Sequence, residues 1–159
     1  MAAISKIHFP TIDSFDGDYF FLSNFYPSPI VGVDDGIEYP TVEHYFQAHK
    51  VLDLDERAKI AAARTPGMAK RAGRAVDLRP DWENVKISVM YEALQEKFKD
   101  PELLSQLLET GNKQLVEGNS WHDNFWGDCR CPNCQYKTSY NKLGGLLMQI
   151  RRNNGEKKK

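Results

Sequence analysis

The chain has 159 residues, 41% hydrophobic and 27% charged, with a formal net charge of −1. That length and composition fit one globular domain with a real core and exclude collagen-like, repeat and globally disordered architectures. Near-zero charge excludes a general polyanion binder, no apolar run approaches the roughly 20 residues of a membrane helix, and Met1 to Pro10 lacks the pattern of a signal peptide. Three clustered cysteines argue against a secreted disulfide scaffold, so the expected location is the cytosol, with no membrane partner.

In chain order, the first 40 residues read as short strands and turns. Phe20-Phe21-Leu22 and Ile30-Val31 are apolar, and Asp35-Gly36 predicts a hairpin turn between Ile30–Val33 and Ile37–Tyr39. Thr41 caps a helix to about Leu52, and a second helix covers about Asp55 to Arg64. Thr65 caps a third, with Pro66 at its first position, reaching about Ala75. Asp81 caps the longest helix, ending near Lys99, with Trp82, Val85, Val89, Ala93 and Leu94 on its core face. Asp100-Pro101 starts another, whose Leu103, Leu104, Leu107 and Leu108 face inward, and Gly111 stops it. Leu115-Val116 reads as a short strand. The irregular stretch Glu117 to Tyr140 holds Trp121, His122, Trp126 and all three cysteines; loops of that length in compact domains carry a function or a metal. Asn141 opens a last helix with Leu143, Leu146, Leu147 and Ile150 on one side. The expected fold class is α+β and predominantly helical. It is one domain over residues 1–152 with a small N-terminal β-hairpin and about six helices, followed by a basic tail at 153–159.

Helical spacing puts Glu43, Gln47 and Lys50 on one face of the first helix, among Tyr45, Phe46 and His49. That polar line either lines a cleft or decorates the helix dipole, with Glu43 in the first turn and Lys50 at the far end. Between Arg57 and Arg79 lie seven Lys/Arg and one acid, Asp77. Lys70 and Arg74, one turn apart, suit a phosphate, as do the free amides at their helix start; a solvated basic face is the alternative. Asp123 and Asp128 put carboxylates, and Asn119 an amide, beside aromatic rings such as Trp126, as base or ribose recognition requires, or else the stretch is a packed, capped loop. Cys131-x-x-Cys134 has zinc-knuckle spacing, with Cys129 beside it and His122 as one possible further ligand. A reduced, metal-free thiol cluster is the preferred reading. No glycine-rich phosphate loop, nucleophile elbow or His-Glu-x-x-His occurs.

Five blocks follow one another in order: Leu22-Ser23-Asn24-Phe25; Tyr39-Pro40-Thr41-Val42-Glu43-His44-Tyr45-Phe46-Gln47-Ala48-x-Lys50; Thr65-Pro66-x-x-Ala69-Lys70-x-x-Gly73-Arg74; Asp123-x-x-Trp126-Gly127-Asp128; and Asn141-x-Leu143-Gly144-x-Leu146-Leu147-Met148-x-x-Arg151. Together they resemble the NADAR superfamily, also called YbiA-like, from about Phe21 to Arg152. The resemblance implies an N-glycosidase that cuts between a ribose anomeric carbon and a nitrogen. Its substrate is a phosphoribosylamino-pyrimidine of early riboflavin synthesis or an ADP-ribosylated guanine in a nucleoside or nucleic acid. The Cys129-x-Cys131-x-x-Cys134 loop departs from the riboflavin-pathway type and is expected to border the pocket.

On this reading Glu43, Lys50 and Asp128 are the catalytic candidates. Glu43 and Asp128 stabilise charge or move protons, and Lys50, if partly neutral, can form a Schiff base with a ring-opened ribosylamine. Trp126 and Phe25 frame base or sugar, Asn24, Asn119 and Asn141 bind hydroxyls, and Lys70 and Arg74 meet phosphate. Gln47, Asp123 and Gly127 complete the expected binding set, and no metal or organic cofactor is required. The competing readings are a non-catalytic module for ADP-ribose or NAD-like ligands and a zinc-stabilised nucleic-acid module using the cysteine loop and basic tail.

Overall fold

A computed structural model describes residues 10–156. In chain order it contains β1 (Thr11–Ile12), a 3-10 helix (Gly17–Leu22), β2 (Ile30–Val31), β3 (Glu38–Tyr39), α1 (Val42–Ala48), α2 (Leu54–Ala61), α3 (Pro66–Arg74) and α4 (Trp82–Lys97). Then follow α5 (Pro101–Glu109), β4 (Gln114–Leu115), β5 (Gly118–Asn119), β6 (Asp128–Cys129), a second 3-10 helix (Pro132–Cys134) and α6 (Lys142–Glu156). The fold is α+β and mostly helical, as expected. The residues form two compact units: Phe20–Ser105, and the chain up to Tyr19 together with the chain from Gln106 onward.

In the unit Phe20–Ser105, α1 is the centre: it packs against α2, α3, α4 and β3, and every residue from Val42 to Ala48 is buried. The expected hairpin is present, with Ile30 opposite Tyr39 and Gly36 at φ 68°, a left-handed turn conformation that suits glycine. Thr41 caps α1 by accepting a hydrogen bond from the His44 amide. Thr65 caps α3 in the same way from Met68, with Pro66 in the first turn.

Three sequence expectations fail in this unit for local reasons. Phe20-Phe21-Leu22 is the end of a 3-10 helix and not a strand; the Ser23 amide bonds back to the Phe20 carbonyl at 2.9 Å. The first helix stops at Ala48 and not at Leu52, because Asp53 caps α2 by accepting from the Glu56 amide at 2.9 Å. Asp81 makes no side-chain cap on α4; Arg79 claims its carboxylate at 2.6 and 3.0 Å. On α4, Trp82, Val89, Ala93 and Leu94 are buried as expected, while Val85 is half-buried.

In the other unit β1 and β4 pair in parallel, Thr11 opposite Gln114. Helix α6 packs on β4 through Leu143, Leu147 and Ile150. At Gly144 a Cβ would overlap the Leu115 carbonyl, so glycine is required for this approach. Strands β5 and β6 also pair in parallel, Gly118 opposite Asp128. Helix α6 runs to Glu156, so residues 153–156 of the expected tail are helical. Lys157-Lys158-Lys159 lies outside the described residues.

Candidate active site

The polar stripe of α1 is buried. Glu43 is 7% exposed and Gln47 4%, and Gln47 Nε2 donates to Glu43 Oε1 at 2.7 Å. A carboxylate buried in this way needs a hydrogen-bond partner, and Gln47 supplies one. Lys50 follows at the helix C-terminal end, half-buried, with its Nζ 5.9 Å from the centre of the Phe46 ring. Burial lowers the Lys50 pKa, Glu43 pulls it back up, and Arg74 and Lys70 lower it further. Glu43, Lys50, Lys70 and Arg74 therefore share one electrostatic neighbourhood.

Packing of α3 on α1 places the two cations there. The close approach occurs at Gly73, where a Cβ would overlap Gln47 Oε1. Lys70 is half-buried and Arg74 exposed. Two other cations of the block are paired elsewhere. Arg57 is buried and pairs with Asp34 and Asp35 at 2.9 and 3.0 Å, and Arg79 pairs with Asp81 at 2.6 Å.

Asn24 joins the same region through its backbone, its carbonyl accepting from the Glu43 amide at 3.1 Å. Its side-chain Nδ2 donates weakly to Met90 Sδ at 3.6 Å. Among the described residues, Asn24 Oδ1 and Gln47 Oε1 are buried acceptors without a hydrogen-bond partner. Such a group costs about 1–3 kcal/mol, and Gln47 Oε1 lies directly against Gly73. Phe25, next in sequence, is 36% exposed, as a ring available for stacking must be.

Sequence reasoning missed Lys97. It is 1% exposed, its Nζ donates to the Ser23 carbonyl at 2.9 Å, and it lies over the Tyr26 ring. Burial alone lowers its pKa to about 7. In the sequence it looks like an ordinary cation in the last turn of a helix; here it anchors the segment that carries Asn24.

The other expected site residues lie in the second unit, and most of their polar atoms are engaged with backbone. Asn119 Nδ2 donates to the Asp123 carbonyl at 2.8 Å, and its Oδ1 accepts from the Trp121 and Asp123 amides. Asp123 Oδ1 accepts from the Phe125 and Trp126 amides. Asn141, at φ 45°, bonds the Glu117 amide and the Leu115 carbonyl. Gly127 permits close approach to the Glu117 carbonyl. Trp126 is half-buried and packs edge-on against Phe125 at 4.9 Å. Asp128 accepts from Ser139 Oγ, has Arg130 at 3.9 Å and borders a recess with Arg130 and Lys137.

A model of the NADAR domain matches residues 12–153. This chain belongs to the NADAR family. Among proteins of that kind it is 42% identical over 137 residues to N-glycosidase YbiA of Escherichia coli (strain K12), covering 84% of this chain and 81% of that protein. It is 41% identical over 145 residues to the riboflavin biosynthesis protein PYRR, chloroplastic, of Zea mays, which covers 81% of this chain but only 22% of the maize protein. The chain thus spans about a fifth of that relative. The NMR structure of E. coli YbiA superimposes with a TM-score of 0.78 at 39% identity, over 98% of this chain and 92% of that one. Among the described residues, no helix is long and apolar enough to cross a membrane.

Proposed function

We propose that this NADAR chain is a hydrolase of N-glycosyl bonds that uses Glu43 and Lys50 to cleave between a ribose anomeric carbon and a nitrogen. The observation that carries the reading is the buried Glu43 carboxylate, held by Gln47, in one electrostatic neighbourhood with a lysine whose pKa is lowered. Relatives named N-glycosidase support the bond type. Relatives named for riboflavin biosynthesis favour a phosphoribosylamino-pyrimidine as substrate, and ADP-ribosylated guanine is the second candidate. Cytosolic action is part of the same reading.

Breaking a ribosyl C–N bond builds positive charge on the sugar and negative charge on the leaving nitrogen. A fixed carboxylate stabilises the first, and a proton donor relieves the second. A ribosylamine also opens to an imine. A neutral Lys50 amine attacks its C1, the C1–Nζ bond forms, and the bond to the leaving amine breaks as that amine takes a proton relayed by Glu43. Water then adds to the lysine imine, returns the Lys50 amine and releases the sugar as an aldehyde. Desolvation and two neighbouring cations favour the neutral amine this route needs. Lys70 and Arg74 meet the phosphate, and the Asn24 and Gln47 carbonyls accept from sugar or base. Asp128, in the other unit, is tested separately as Asp128→Asn.

The experiment incubates the protein with a phosphoribosylamino-pyrimidine and, separately, with ADP-ribosylated guanosine, and quantifies free base and free sugar. Release from the first is expected. Release only from the second would reassign the substrate. Binding without release from either would replace the enzyme with a ligand-binding module.

A further inference from the structure

We propose that His122, Cys129, Cys131 and Cys134 form a structural zinc site. The residues come from the stretch between β5 and α6 that the sequence leaves irregular, and the family reading gives them no task. Their four donor atoms all lie within 4.8 Å of one another. His122 Nδ1 is 3.3 Å from Cys131 Sγ and 3.4 Å from Cys134 Sγ. Ligands on a tetrahedral zinc with bonds of about 2.3 Å to sulfur and about 2.0 Å to nitrogen sit roughly 3.5–3.8 Å apart. The observed spacings are close to that without rearrangement of the chain. No disulfide competes, since all three cysteines are free.

The local backbone is arranged for this cluster. His122 adopts φ 70°, a left-handed conformation uncommon outside glycine. That turn also directs its backbone amide at Cys129 Sγ, 3.3 Å away, the kind of N–H contact that steadies a metal-bound thiolate. Cys129 ends β6, and Cys131 and Cys134 bracket Pro132 in the second 3-10 helix. Three cysteines and one histidine fill four positions and leave none open for water, which marks a structural and not a catalytic centre.

Residues 120–127 join two parallel strands, a connection that ordinarily needs a dozen or more residues. A closed metal site explains how so short a crossover keeps its shape. The geometry favours a bound metal over a metal-free thiol cluster, and the proposal does not depend on the N-glycosidase reading, since four protein ligands leave no open position on the metal.

The test uses the full chain, purified under reducing conditions, with metal content measured by mass spectrometry. One zinc per chain is expected. Cobalt substitution is expected to give the visible bands of a tetrahedral thiolate site. Cys134→Ser should lose the stoichiometric metal, while His122→Cys, which keeps four ligands, should retain it with an altered cobalt spectrum. Stripping the metal should make Lys137 newly sensitive to trypsin. Failure of the reduced wild-type chain to bind zinc or cobalt at equimolar concentration would overturn the proposal. Equal binding by wild type and Cys134→Ser would overturn it too, by placing the metal elsewhere.

Discussion

Gln47 Nε2 donates to Glu43 Oε1 at 2.7 Å, and the Gln47 carbonyl oxygen remains a buried acceptor without a partner. One amide thus fixes the buried carboxylate and leaves its own oxygen packed against Gly73. Gln47→Ala removes a hydrogen bond to a charged group, worth about 1.5–3 kcal/mol. If that geometry is made for the transition state, kcat/KM falls roughly ten- to hundredfold. Steady-state kinetics on folded Gln47→Ala checks this, and unchanged kinetics would detach Gln47 from the site.

Gly73 is predicted to be as sensitive as a polar residue. Alanine there drives a methyl group into Gln47 Oε1, so Gly73→Ala must displace Gln47 or part α3 from α1. Overpacking of this kind costs about 1–3 kcal/mol. The expected result is a lower Tm together with lost activity, whereas Gly67→Ala, with only the Thr65 Oγ1 nearby at 3.8 Å, should leave the α1–α3 contact intact. Thermal melts of the two variants make the comparison.

Lys50 gives the activity a pH signature. The proposed attack needs the neutral amine, so the rate rises with pH through the Lys50 pKa. Burial, with Arg74 and Lys70 adding to it against Glu43, sets that pKa below the ordinary lysine value. Lys70→Ala removes one of these cations and should move the rising limb to higher pH. Borohydride added during turnover should fix a sugar adduct on Lys50, read as a mass increase. Full activity in Lys50→Ala with no trapped adduct would rule out the Schiff-base route and leave direct hydrolysis at Glu43.

Lys97 links stability to pH. Its folded pKa is about 7 and its unfolded value 10.5, both set by whether the ammonium is in water. Between those values the unfolded chain holds the extra proton, so this group makes stability rise with pH from about 7 to 10.5. The gap corresponds to a burial cost on the order of 4–5 kcal/mol at neutral pH. That exceeds the roughly 1–3 kcal/mol of leaving the Ser23 carbonyl unpaired, so Lys97→Met should raise Tm at pH 7 and flatten the alkaline rise. Denaturant melts from pH 7 to 10 test both parts.

The sequence is legible where one residue acts on its near neighbours. Thr41 and Thr65 cap helices, Gly36 turns the hairpin, and Glu43 and Gln47 meet across one helical turn. Asp81 caps no helix because Arg79 competes for its carboxylate, and the role of Arg57 rests on Asp34 and Asp35, which lie more than 20 residues earlier. Lys97 was invisible for the same reason: only tertiary packing makes a helix-end lysine buried. Asn119, Asp123 and Asn141 are expected to bind substrate, yet their side chains hold the loop backbone. Their backbone bonds depend on the folded path of the loop, which periodicity does not encode.

The most direct test of the account compares wild type with Glu43→Gln in release of free base from a phosphoribosylamino-pyrimidine. Glutamine keeps the size of the side chain and removes its charge and its proton. Expected are turnover by the wild type and a loss of two or more orders of magnitude in kcat, as removal of a group that transfers protons or stabilises transition-state charge gives, with the variant still folded. Glu43→Gln turning over at the wild-type rate would contradict it.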